Sequence, residues 1–154
     1  MKDLVNRLKR YLLDTLGITV TLSKPANVGS LPFFLQDIYD MFQVGLLNEE
    51  FIILASRNDS ELTPATIHKH IDIVSKQLRM KAVFVHSIIS SFNRKRLIEY
   101  RVPFVIPGNQ MYLPDLGVDL REYLHYLKVY TYKFKGFGFL AFWLFILRVR
   151  PAGC

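Results

Sequence analysis

The stretch that decides the fold reads Val102-Pro-Phe-Val-Ile-Pro-Gly-Asn-Gln-Met-Tyr-Leu-Pro-Asp-Leu-Gly-Val-Asp-Leu-Arg121. Its first five residues are almost continuously apolar, which predicts a strand covered on both faces of a sheet. Residues 107–110 are rich in turn formers, so residues 110–113 are expected to fold back as an antiparallel edge strand. Asp119 is expected to begin a short helix through Leu124.

Two further apolar runs, residues 51–55 and 82–86, precede this stretch and also predict buried strands. Helical patterns separate them: Thr63-Pro64 is an N-cap followed by proline, and Ser90 or Ser91 caps the next helix. Parallel strands need such crossovers. The predicted fold class is therefore α/β, a three-layer sandwich with a mainly parallel sheet. It consists of a β-α-β-α-β series plus an antiparallel edge hairpin.

The residues before position 50 predict two helices and one strand. An amphipathic helix with leucine at every fourth position is expected to end at Gly17. Residues 18–22 alternate apolar and polar, which predicts a strand with one solvated face. A second helix is expected from Ser30 to near Gly45, because an apolar stripe recurs at helical spacing: Leu35, Ile38, Tyr39 and Phe42.

The composition changes near residue 126. Residues 129–154 contain no acidic side chain, and 8 of these 26 residues are aromatic, against 13 of the first 128. We expect one α/β domain over residues 1–125, followed by an atypical aromatic and basic apolar tail over 126–154. The tail has three open interpretations: the product of a frameshift or truncation, a segment that contacts a membrane or partner, or a packed element.

Charge and cysteine usage limit the function classes. The net charge is +7, but residues 1–128 hold 16 Lys/Arg and 13 Asp/Glu, so the predicted domain is only mildly basic. The usual inference from a high pI to nucleic-acid binding is thereby weakened. Cys154 is the only cysteine, which rules out an intramolecular disulfide and a thiolate zinc site. With no signal-peptide pattern, the expected compartment is the cytoplasm.

No catalytic motif stands out. There is no phosphate-binding G-x-x-x-x-G-K-[ST] loop and no G-x-S-x-G nucleophile elbow. The predicted central strands contain no carboxylate, which argues against a metal-dependent nuclease site on this sheet. We therefore predict a protein that is not an enzyme, with no cofactor and no metal site.

Two groups of residues are candidate sites. His86 and Ser87 lie at a strand's C-terminal end, where α/β sheets place their pockets, although a structural histidine is the simpler interpretation. Arg94, Lys95 and Arg96 form the densest basic cluster, beside a predicted helix start that can hold an anion or a nucleic-acid phosphate. The simpler interpretation of this cluster is a solvated helix face.

The segments Asn93-Arg-Lys-Arg-Leu-Ile-Glu99, Val102 to Pro114 and Asp119-Leu-Arg-Glu122 carry a resemblance to a known family. Residues 20–123 resemble the N-terminal domain of bacterial MarR-type winged-helix transcriptional regulators. The resemblance implies a role in ligand sensing, dimerisation or orientation of a DNA reader. In that family the winged helix follows this point, and the sequence after Glu122 departs from that pattern, so we expect truncation before the reader.

The partners that this resemblance implies are a second copy of the chain, an unknown ligand, and nucleic acid bound weakly or indirectly. Two other functions stay open. One is a small anion-binding module or enzyme at the C-terminal edge of the sheet. The other is a membrane-peripheral protein that uses residues 134–149.

Overall fold

The structure, a computed structural model, describes residues 2–121. The predictions for the tail and for the domain end at residue 125 lie outside the described residues. Within them are four α-helices, seven strands and two short 3₁₀ turns. In chain order the helices and strands are α1 Lys2–Leu16, β1 Leu22–Ser23, α2 Phe33–Ile38, β2 Tyr39–Leu46, β3 Glu49–Ser56, α3 Pro64–Leu78, β4 Lys81–Val85, α4 Ser91–Glu99, β5 Phe104–Ile106, β6 Gln110–Leu113 and β7 Val118–Leu120.

The described strands form one sheet in which each strand lies beside its neighbours in sequence, from β1 to β7. Only the β3–β4 and β4–β5 pairs are parallel. The other four pairs are antiparallel. The predicted three-layer sandwich with a mainly parallel sheet is therefore wrong, because the sheet is mostly antiparallel.

The main cause of this error is β2, which the sequence pattern assigned to a long helix. The helix α2 is only six residues long, and the chain becomes extended at Tyr39. Tyr39 and Met41 then face one core while Val44 and Leu46 face the other. A short apolar segment at the junction of a helix and a strand satisfies both periodicities, so spacing alone could not distinguish them.

A tight hairpin turn joins β2 to β3. Leu46 pairs with Glu49, so only Leu47 and Asn48 form the loop. Both have positive φ, 51° and 66°, as the two central residues of a type I′ turn do. Such turns usually contain glycine, and this one places a leucine in the left-handed region. The hairpin signal was consequently absent from the sequence.

The other end of the sheet is a meander. The predicted hairpin is confirmed, since Ile106 pairs with Gln110 in an antiparallel register. However, β7 lies outside β6, so residues 110–113 are not the edge strand. Asp119 pairs with Tyr112 inside β7, and the predicted helix start at Asp119 is therefore wrong. At the opposite edge, the strand predicted over residues 18–22 is reduced to Leu22–Ser23.

The starts of α3 and α4 agree with the sequence, whereas α2 begins at Phe33, after Pro32, and not at the predicted Ser30. Thr63 caps α3, where its Oγ1 accepts a hydrogen bond from the Thr66 backbone N–H at 3.2 Å. Ser90 caps α4 and accepts from the Asn93 backbone N–H at 3.3 Å. Small polar side chains at these positions satisfy N–H groups that have no partner inside the helix.

Each face of the sheet carries its own apolar core. One core contains buried residues of α2, α3 and α4, among them Leu35, Ile67 and Leu97. The other contains Leu8 and Leu12 of α1. The first core also holds a polar pair, in which the Tyr39 hydroxyl and His70 Nδ1 share a hydrogen bond of 2.9 Å. Burial lowers the pKa of His70 and raises the pKa of Tyr39.

The hairpin turn yields a first prediction. Replacing Leu47 with Asn and Asn48 with Gly installs the residues that a type I′ turn prefers. We expect the double variant to raise the free energy of unfolding by about 1 kcal/mol, since left-handed backbone is costly for leucine. Urea denaturation at neutral pH measures this change. An unchanged or lowered stability would contradict the turn assignment.

The buried histidine yields a second prediction. The unfolded chain takes up a proton near the ordinary histidine pKa of 6.5, whereas folded His70 does so only at lower pH. The free energy of unfolding should therefore decline as the pH falls from about 7 to 5.5, by at most about 1.4 kcal/mol per pH unit. Urea unfolding of His70→Asn should show a smaller decline. A decline in His70→Asn as steep as in the wild type would contradict the role assigned to His70.

Candidate functional site

The C-terminal ends of the three parallel strands meet at one edge of the sheet. The loop after β3 carries Asp59 and Glu61, His86 and Ser87 follow β4, and the turn at residues 107–109 follows β5. This is the edge at which α/β sheets usually place their sites. The structure thus brings the predicted His86–Ser87 pair to two acidic residues that the sequence analysis did not single out.

His86 is almost completely buried, with 2% of its surface exposed. The backbone N–H of Ile88 donates to its Nδ1 at 3.1 Å. Because Nδ1 accepts, the neutral ring carries its proton on Nε2. Nε2 is buried and has no hydrogen-bond partner among residues 2–121. Nδ1 of His86 therefore helps to hold the loop after β4, whereas the N–H at Nε2 is a donor without an acceptor in the described part of the chain.

The two acidic residues hold the loop after β4. Ser87 Oγ donates to Asp59 Oδ1 at 3.1 Å. Glu61 Oε1 accepts from both the backbone N–H and the hydroxyl of Ser90, at 2.8 Å and 3.0 Å. Charge-assisted hydrogen bonds therefore join the loop after β3 to the loop after β4.

Glu61 remains ionised over a wide pH range. Burial tends to raise the pKa of its carboxyl, but hydrogen bonds from Asn93 and Ser90 and the nearby His86 outweigh burial and lower it. The carboxylate lies at the N-terminus of α4, where the helix dipole also favours a negative charge. The position that the sequence analysis assigned to an external anion is occupied by a side chain of the protein itself.

The basic triplet does not act as one cluster. Arg94 Nη1 turns towards the β5–β6 turn and donates to Asn109 Oδ1 at 3.0 Å and to Gln110 Oε1 at 3.4 Å. Arg96 donates to Glu99 at 3.5 Å and lies over the Phe92 ring. Lys95 is exposed. The three side chains therefore contact different groups, and the predicted contact of Arg94, Lys95 and Arg96 with an anion stays a prediction.

The β5–β6 turn is held from both faces of the sheet. Arg94 reaches it from α4, on one face, through Asn109 and Gln110. Arg7 reaches it from α1, on the other face, and donates to the Pro107 carbonyl at 3.2 Å. Two arginines from helices on opposite faces of the sheet thus hold the β5–β6 turn in place.

A second feature of this edge was missed by the sequence analysis. A cavity of about 410 Å³ lies where β2 emerges from α2, and its lining includes Lys24, Asp40 and Arg57. Arg57 directly follows β3, and its Nε donates to Asp40 Oδ1 at 2.9 Å. No sequence signal pointed to this cavity, because it depends on β2 being a strand.

Within residues 2–121, no three histidine, cysteine or acidic side chains are grouped so that they could hold a metal ion. None of the helices in this range has both the length and the apolar character needed to cross a membrane. No family model, no curated protein and no solved structure matches the chain.

Glu61 yields a third prediction. In Glu61→Ala, the Ser90 backbone N–H and hydroxyl lose their acceptor, and α4 loses a charge that favours its N-terminus. We expect the free energy of unfolding to fall by roughly 1–2 kcal/mol. Thermal or urea unfolding measures the loss. The control is Glu99→Ala in the last turn of the same helix, whose exposed ion pair should contribute less than about 0.5 kcal/mol. Equal effects of the two variants would count against the capping role.

Proposed function

We propose that residues 2–121 form the non-enzymatic front domain of a MarR-like transcriptional regulator. Such a domain senses a ligand, mediates pairing with a second copy, or supports a separate DNA-reading unit. Regulators of this kind work in the cytoplasm, so the proposal includes that compartment.

One observation supports the non-enzymatic role most directly. The side chains of catalytic type at the C-terminal edge of the sheet take part in contacts that hold the neighbouring loops. Glu61 accepts from Ser90, Asp59 accepts from Ser87, and His86 accepts from a backbone amide through Nδ1. An activated serine nucleophile usually donates to a histidine base, whereas Ser87 and Ser90 donate to carboxylates and His86 Nδ1 accepts from a backbone amide.

The location of the family-like segments is consistent with the proposal. They fall on α4, β5, β6 and β7, which follow one another along the chain. Arg94 joins the first of these segments to the second through Asn109 and Gln110. Similarity over one connected part of the fold supports the proposal more strongly than the same number of similar residues scattered over the domain would.

A second candidate function has one specific observation in its favour. The buried Nε2 of His86 has no partner in the described part of the chain, and an unsatisfied buried donor costs on the order of 1–3 kcal/mol. A small anion or other acceptor that reached this atom would remove the cost. The membrane-peripheral interpretation rests on residues 134–149, outside the described residues, and stays a prediction.

DNA titration tests the leading proposal. The full chain should bind labelled duplex DNA without sequence preference, and its affinity should fall roughly tenfold or more between about 50 and 200 mM NaCl. Fluorescence anisotropy with several unrelated duplexes measures both properties. Tight binding to one sequence that survives the higher salt would show that this chain reads DNA itself and would overturn the proposed role.

A further inference from the structure

The cavity at the junction of α2 and β2 follows the outer edge of β2. β1 pairs with β2 only through Leu22 and Ser23, after which the chain turns away. Residues 39–42 therefore have β3 on one side and no described strand on the other. All four of these consecutive residues line the cavity of about 410 Å³. Successive side chains of a strand point to opposite faces, so a cavity lined by all four lies against the edge of the strand and not against one face of the sheet.

The backbone of β2 directs hydrogen-bonding groups into this cavity. The Arg57 N–H donates to the Ile38 carbonyl at 3.0 Å, so the polar backbone groups of Ile38 point towards β3. This direction alternates along an antiparallel strand, and the groups of Tyr39 and Met41 therefore point to the outer edge. The Tyr39 N–H donates to the Leu35 carbonyl at the end of α2. In the described part of the chain, the Tyr39 carbonyl and both backbone groups of Met41 have no hydrogen-bond partner.

The open edge results from the sequence that follows β1. Ser23 pairs with Gln43, and continuing this register would bring Pro25 opposite Met41. Proline has no N–H to offer the Met41 carbonyl, which explains why β1 does not extend this far. The sequence itself thus leaves the edge of β2 uncovered, and an uncovered edge is a template for pairing with another chain.

The loop that borders the gap is held by α2. Gln36 Nε2 donates to the backbone carbonyls of Val28 at 3.3 Å and Leu31 at 2.9 Å. Gln36 and Val28 both line the cavity. A gap with hydrogen-bonded walls is preorganised, which lowers the entropic cost of binding.

The gap carries an excess of positive charge. Lys24 and Arg57 line it together with a single carboxylate, that of Asp40. Asp40 Oδ1 accepts from Arg57 Nε at 2.9 Å and orients the guanidinium, while the Arg57 side chain remains 40% exposed. The terminal nitrogens of Arg57 donate to no residue that the structure describes. These nitrogens match the two oxygens of a second carboxylate, so a chain that enters the gap is favoured if it carries an acidic residue.

We propose that the edge of β2 binds an extended, acidic segment of a partner protein as an additional strand. An N–H and a carbonyl of the segment pair with Met41, a second N–H two residues away pairs with the Tyr39 carbonyl, and an acidic side chain pairs with Arg57. Strand addition of this kind draws affinity from main-chain hydrogen bonds and specificity from the side chains. Val28 and Phe42 offer apolar surface to the residues that flank the acidic one. The proposal goes beyond the regulator role and is tested without DNA.

An NMR titration of the isotope-labelled full chain with the capped hexapeptide Ac-Ser-Val-Glu-Val-Thr-Ser-NH₂ tests the site. We expect sub-millimolar binding that shifts the Met41 amide signal, because this N–H gains an acceptor. Two analogues carry N-methyl groups on alternate residues, either the first, third and fifth or the second, fourth and sixth. Since only one of these sets faces β2, one analogue should bind at least about tenfold more weakly than the parent peptide and the other within about threefold of it.

The role of charge is tested with Arg57→Gln and with a peptide in which glutamine replaces glutamate. Arg57→Gln should weaken binding of the acidic peptide roughly three- to tenfold and leave binding of the glutamine peptide unchanged. Lys69→Gln is the matched control, since it removes one exposed positive charge from α3, which contributes no residue to the lining. Urea unfolding verifies that both variants keep the fold.

The proposal is overturned if the acidic peptide does not bind at millimolar concentration, if both N-methylated analogues bind equally, or if Arg57→Gln behaves like Lys69→Gln. Analytical ultracentrifugation tests the alternative occupant. Self-association that the peptide reverses would show a second copy of the chain at this edge and would overturn the choice of a separate partner. A failed DNA titration with normal peptide binding would overturn the regulator role alone.

Discussion

The two crossovers, β3–α3–β4 and β4–α4–β5, proceed in the same direction across the sheet, and that direction decides where the helices lie. Crossovers of this type are nearly always right-handed, so two successive ones in one direction place both helices on the same face. Residues of α3 and α4 indeed belong to one core. The opposite face must then be covered by another element, and α1 provides Leu8 and Leu12 for it. The antiparallel strands at either end extend this parallel centre without requiring further helices.

Much of the centre of the fold could be predicted from sequence, because its signals are local and unambiguous. Thr63-Pro64 and Ser90 mark helix starts, and the continuous apolar runs of β3 and β4 mark buried strands. The strand β2 could not be predicted in the same way. Its apolar residues begin inside a helix, and its turn contains leucine and asparagine at positive φ where glycine would have been informative. The failure to predict β2, and to a lesser extent β7, made the predicted sheet mainly parallel, because both strands pair antiparallel with their neighbours.

In the candidate site, too, features that depend on neighbouring residues in the sequence could be predicted, and contacts between distant residues could not. The placement of His86 and Ser87 at a strand end follows from counting along an apolar run. The role of Glu61 does not, because an acidic residue in a polar loop has no periodicity that points to a helix N-terminus elsewhere. The basic triplet suggested an external anion, but the chain supplies its own carboxylate there and directs Arg94 into the β5–β6 turn. A dense run of basic residues in the sequence thus did not indicate which group each of these side chains contacts.

The hydrogen bond from Arg7 to Pro107 joins residues that are 100 positions apart. Translation at about 5–20 residues per second therefore separates the synthesis of α1 from that of the β5–β6 turn by roughly 5–20 s. During this interval the apolar face of α1 has no complete sheet to cover, although Lys9 and Arg10 keep its other side charged. The helix α1 is thus complete well before the turn that Arg7 contacts, and its charged side opposes premature association of the growing chain in the meantime.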